Sequence, residues 1–76
     1  MISANTKQGD VVKPGDVPLI LRRIRKTLDL TQEQLAQRLG VSFATVNEWE
    51  NGKRKPSPLG KAAIEQLMKE TGIKLQ

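Results

Sequence analysis

The chain has 76 residues, enough for one small domain whose core cannot also enclose a catalytic cavity. It contains no Cys and no His, which excludes thiol catalysis, disulfide staples, zinc sites built from those ligands and a Ser-His-Asp triad. Lys and Arg number 13 against 8 Asp and Glu, and the net charge of +5 suits a partner rich in phosphate or other acidic groups.

Residues 1–16 mix Gly, Asn, Ser, Lys and Asp around the apolar pair Val11-Val12. They are expected to form a flexible N-terminal arm that ends in a turn at Lys13-Pro14-Gly15-Asp16. Met1 to Pro18 holds no apolar signal-peptide core, and Leu19 to Leu21 is too short a run to span a bilayer. A cytoplasmic protein with no membrane partner is therefore expected.

Residues 17–72 carry a helical pattern throughout, followed by a short tail at 73–76. Ile20, Leu21, Ile24 and Leu28 recur at three- and four-residue steps between Arg22, Arg23, Arg25 and Lys26, so a first helix runs from about Pro18 to Leu28. Asp29 falls at its left-handed closing position. Thr31 and Gln34 make a capping box for a second helix, with Leu30 and Leu35 as its hydrophobic staple. Leu35, Ala36 and Leu39 form its inner face, and Gly40 ends it.

Only Gly40, Val41 and Ser42 separate this helix from a third, so the two must cross sharply, with small Ala36 at the corner. Ser42 caps the third helix, Val41 and Val46 repeat the staple, and Asn51-Gly52 stops it. A basic loop, Lys53-Arg54-Lys55, leads to Ser57, which caps a fourth helix with Pro58 at its first position. Leu59, Ala63, Ile64, Leu67 and Met68 are expected to form the buried stripe of that helix, and Gly72 to close it. The fold class is all-α, a compact bundle of four to five short helices.

Two short helices joined by a three-residue turn containing Gly are the helix-turn-helix pattern. The run TQEQLAQRLGVSFATVNEWENGKRKPS resembles the Cro/cI-type, lambda-repressor-like helix-turn-helix family of bacterial and phage transcriptional regulators. The resemblance covers roughly Pro18 to Met68. It implies a compact helical bundle that binds double-stranded DNA, commonly as a homodimer on a two-fold operator.

On a helical wheel, Val46, Trp49 and Glu50 share one side of the third helix, and Phe43, Ala44, Asn47, Glu48 and Asn51 share the other. The second set suits the major groove, which admits one helix. The resemblance places base contacts at Ser42, Phe43, Ala44, Asn47 and Glu48. Asn47 can bridge adenine N6 and N7, Glu48 can accept from cytosine N4, and Phe43 and Ala44 can meet thymine methyls. Phe43 has a second reading as an extra staple or a protein contact, and Glu48 has one as plain solvated surface. Trp49 belongs to the core. Glu50 beside it needs a cation, and the resemblance supplies Arg25 from the first helix. Phosphate contacts are implied at Gln32 and Asn51, with Thr45 beside them, and Lys53, Arg54 and Lys55 continue that line.

No reaction is expected. The pairs Glu48 with Glu50 and Asp29 with Glu33 lack an apolar pocket to raise a carboxyl pKa, and no phosphate loop or calcium loop is present. The expected function is sequence-specific DNA binding by a transcriptional regulator of the repressor kind, without enzyme activity, cofactor or metal. Residues 42–51 form its recognition helix. Two alternatives stand beside it: an antitoxin that also binds a toxin partner, and a protein-interaction module with no DNA function. Only Ile73 to Gln76 follow the fourth helix, so the arm, that helix or a partner would have to build any dimer contact.

Overall fold

The computed structural model describes residues 14–73. A 3-10 turn at Pro14–Asp16 leads into α1 (Val17–Leu28), followed by α2 (Gln32–Leu39), α3 (Phe43–Glu50) and α4 (Pro58–Thr71). The expected four-helix, strand-free architecture is what these residues adopt. Residues 1–13 of the expected arm and residues 74–76 of the expected tail lie outside the described residues. The expected turn at Lys13-Pro14-Gly15-Asp16 is present over its described residues, Pro14–Asp16, as a 3-10 turn in contact with α1.

The local signals act where the side chains dictate. Thr31 Oγ1 accepts from Gln34 N at 3.0 Å while Gln34 Oε1 accepts from Thr31 N at 2.9 Å, so the capping box closes in both directions. Asp29 adopts φ 58°, ψ 54°, the only non-glycine among the described residues with positive φ. Asp is one of the few L residues that tolerates this region. Gly40, at φ 75°, turns the chain back so that Val41 N reaches Ala36 O at 3.0 Å. That tight closure forces α3 across α2.

Val17, Ile20, Leu21 and Ile24 of α1 meet Leu35, Ala36 and Leu39 of α2, Val46 and Trp49 of α3, and Ile64 and Leu67 of α4 in one core. The helices α2 and α3 pack directly, and α1 lies against both α3 and α4. Leu59 departs from the expected stripe. It is 84% exposed, while Gly60 next to it is buried. The cause is Trp49: a Cβ on Gly60 would stand 2.7 Å from Trp49 Cη2 and 2.9 Å from Cζ2. The first turn of α4 therefore rides directly on the indole, and Leu59 is turned to the flank. Trp49 is core as expected, although its Nε1 is buried without a hydrogen-bond partner.

Candidate nucleic-acid interface

The third helix is held from behind by apolar contact and by ion pairing at Glu50. Val46 and Trp49 are buried in the core, and Glu50, only 2% exposed, is the buried charged residue among them. Arg25 of α1 grips its carboxylate with both edges of the guanidinium: Nε donates to Oε2 at 2.8 Å and Nη2 to Oε1 at 3.0 Å. This bidentate geometry is the strong form of an ion pair. The hydrogen bond to Glu50 raises the Arg25 pKa above its already high ordinary value, against the opposing effect of burial.

Glu50 has more partners than Arg25. Arg22 Nη2 donates to the Glu50 carbonyl at 2.8 Å, and its Nε lies 3.9 Å from the carboxylate. Arg22 was not among the expected site residues. Its spacing of three from Arg25 on α1 puts both cations on one face, which is the sequence signal that points to it. Gln32 is the third residue to donate to Glu50, its Nε2 reaching Oε1 at 3.0 Å.

Gln32 also connects inward contacts to the outer face. Its Oε1 accepts from Asn47 Nδ2 at 3.2 Å, and Asn47 Oδ1 accepts from Asn51 Nδ2 at 3.1 Å. The Gln32 side chain is thus engaged at both ends, with one Nε2 N–H left over. Its place at the first position of α2 still leaves the backbone N–H groups of that turn outside the helical bonding pattern. Asn47 is half-buried and tethered, and Asn51 is exposed at the end of the chain of amides.

The remaining expected base contacts lie on the outer side of α3. Ser42 Oγ accepts from Thr45 N at 3.1 Å and lies 2.9 Å from Thr45 Oγ1, so both hydroxyls serve the helix start. Ala44 is exposed, and Phe43 is 51% exposed, outside the core. Glu48 is neither a bare reader nor bare surface, because its Oε1 accepts from Arg54 Nη1 at 3.2 Å. Lys53 and Lys55 flank Arg54 in the exposed loop, whose start is held by Lys53 N donating to Glu48 O at 2.9 Å. On α3 and at its end the structure thus leaves Phe43, Ala44 and Asn51 exposed, half-buries Asn47 and Glu48, and buries Val46, Trp49 and Glu50. The exposed basic loop follows, while Phe43, seven residues before Glu50, lies on the wheel beside it rather than across from it.

Among the described residues, no helix is long and apolar enough to cross a membrane, and no group of acidic side chains is placed to hold a metal ion.

Comparison with known proteins places the same segment in context. The helix-turn-helix family model HTH_3 matches residues 21–59, from within α1 through α2, α3 and the basic loop to the start of α4. The chain is 47% identical over 38 residues to an uncharacterized HTH-type transcriptional regulator of Methanothermobacter thermautotrophicus, matching 50% of this chain and 55% of that protein. It is 35% identical over 48 residues to an uncharacterized HTH-type transcriptional regulator of Archaeoglobus fulgidus, covering 63% of this chain and 21% of the relative. A third similarity, 38% over 53 residues, is to the type II methyltransferase M.MspI of Moraxella sp, covering 70% of this chain and 13% of that enzyme. The chain thus spans between about an eighth and just over half of the length of these relatives. No solved structure matches it significantly. With the crossed pair α2–α3 and the Arg25–Glu50 clasp inside the matched segment, the chain belongs to the Cro/cI-type helix-turn-helix family.

Proposed function

We propose that this chain is the sequence-specific DNA-binding domain of a transcriptional regulator and acts as a repressor by occupying its site, with no turnover. The residues 42–51 enter the major groove, Phe43, Ala44 and Asn47 read base edges, and the start of α2, Asn51 and the basic loop set register on phosphates. One observation carries this reading. Phe43 and Ala44 in the first turn of α3 and Asn51 at its end are exposed, while Val46, Trp49 and Glu50 are buried in the core. A rod held from behind with a polar and aromatic front has the shape and chemistry of a groove reader.

A single module of this kind covers about 600–1,000 Å², which is small for a stable specific complex. Binding as a homodimer on a two-fold site is accordingly part of the proposal. The similarity to a segment of a type II methyltransferase is consistent with the same module serving as a docking element in a longer chain.

Selection from random duplexes at fixed salt tests this reading. The expected outcome is a defined half-site, repeated at about 10–10.5 base pairs if two copies bind one face of the duplex. Failure to enrich any sequence, or footprinting without protected nucleotides at modest ionic strength, overturns it in favour of a protein-docking role.

A further inference from the structure

We propose that the buried carboxylate of Glu50 sets the direction of the amide chain Gln32–Asn47–Asn51, which makes Gln32 the positioning residue for base reading by Asn47. The inference rests on α3 being the recognition helix and adds to that reading what controls its specificity.

The direction follows from donor and acceptor chemistry alone. A carboxylate accepts hydrogen bonds and donates none. Beside Glu50 Oε1 at 3.0 Å, Gln32 must therefore present its NH2 group, and its carbonyl oxygen faces away. That oxygen also only accepts, so Asn47 must turn Nδ2 toward it, at 3.2 Å. Asn47 Oδ1 is then left for the other side, where Asn51 Nδ2 donates at 3.1 Å. Reversing any amide would set oxygen against oxygen or NH2 against NH2. Arg25 keeps the anchor in place by its two bonds to Glu50.

Each amide nitrogen carries two N–H bonds and each amide oxygen two lone pairs. After its two contacts, Asn47 retains one N–H directed from the Gln32 side and one lone pair on the Asn51 side. These are the groups that adenine N7 and N6 require, and here their order along the groove is already decided. An unrestrained Asn could rotate its amide to suit either orientation of an A·T pair. A tethered Asn47 suits one, because the other meets donor with donor. Specificity at that pair thus depends on Gln32, which need not touch the base.

The test compares the full chain with Asn47→Ala, Gln32→Met and Gln32→Glu. Affinities are measured for the selected duplex and for duplexes changed at single pairs. Asn47→Ala is expected to identify one pair, with discrimination there falling about tenfold or more. Gln32→Met keeps length without donor or acceptor, and is expected to bring discrimination at that same pair to within about threefold, leaving other pairs unchanged. Gln32→Glu keeps the acceptor toward Asn47 but sets a second carboxylate beside Glu50. It is expected to melt lower and still discriminate. A merely structural Gln32 gives the opposite ranking, with the less stable Glu variant reading worse.

In the DNA-free protein, the side-chain amide resonances of Asn47 should move in Gln32→Met and hold in Gln32→Glu. Uniform weakening of all duplexes by Gln32→Met with discrimination intact, or Asn47 resonances indifferent to it, overturns the positioning role while the recognition helix stands. If Asn47→Ala changes no preference, Asn47 reads no base and the inference falls. A wild-type chain that enriches no sequence removes the function itself, an outcome distinguishable from both.

Discussion

Glu48 and Arg54 show how much one charge decides at the residue scale. Their contact at 3.2 Å is solvent-exposed on both sides, and such pairs contribute little to stability. If α3 docks on DNA as proposed, its consequence is electrostatic: the Glu48 carboxylate occupies a cation that could otherwise meet a phosphate. Glu48→Gln is expected to leave melting unchanged, raise affinity for all duplexes several-fold and steepen the salt dependence by up to about one unit in slope. A changed preference at one G·C pair with weaker binding would instead make Glu48 a reader of cytosine N4. Lys53→Ala should act in the opposite sense, weakening all sequences alike with a slope shallower by about 0.9. Phe43→Ala, at a residue half-exposed and outside the core, is expected to alter the preferred sequence without lowering the melting temperature. A large drop in melting would assign Phe43 to the helix start as a staple.

Among the elements, helix boundaries were the most legible part of the chain, because they rest on local chemistry. Thr31, Ser42 and Ser57 each accept from the backbone N–H three residues on, as their positions predict. Thr31→Ala is expected to cost about 1 kcal/mol, a melting shift of roughly 4–8 °C in a domain this small. An unchanged thermal transition would mean that the cap is replaced by water at no cost. The start of α4 was less legible. Helical periodicity placed Leu59 inward, yet a ring from a different helix occupies that space and admits only Gly60 above it. Gly60→Ala therefore overpacks the site despite its better helix propensity, at about 1–3 kcal/mol. Trp49 is the only Trp, so its fluorescence reports the rearrangement as well as the melt. A stabilised Ala variant would contradict the close packing of α4 on the indole.

For the whole molecule, the Arg25–Glu50 clasp joins α1 to α3. Breaking a buried pair leaves an uncompensated charge, at about 3–5 kcal/mol. Arg22 and Gln32 still reach Glu50 when Arg25 is removed, so Arg25→Ala is expected near the lower end, about 3 kcal/mol. Thermal or urea unfolding checks it, and a melting temperature equal to wild type would show that Glu50 needs no cation. Because the Arg25 pKa is raised, the pair's contribution from this group is complete below the ordinary guanidinium range and is lost only as pH rises through the higher folded value. No loss from Arg25 is expected at neutral or moderately alkaline pH.

The sequence alone determined the helices, their caps, the crossed pair and which side of the third helix is apolar, because each depends on residues within a turn or two of one another. Even the Arg25–Glu50 pairing was legible, since a carboxylate beside Trp49 demands a cation and the resemblance indicated which. Only the tertiary structure decided what happens between distant segments. It put Gln32 between Glu50 and Asn47, brought Arg22 to the Glu50 carbonyl, drew Arg54 to Glu48 and set α4 on Trp49 through Gly60. Those contacts depend on helix crossing angles and side-chain reach, which packing of the whole core fixes and no local pattern encodes.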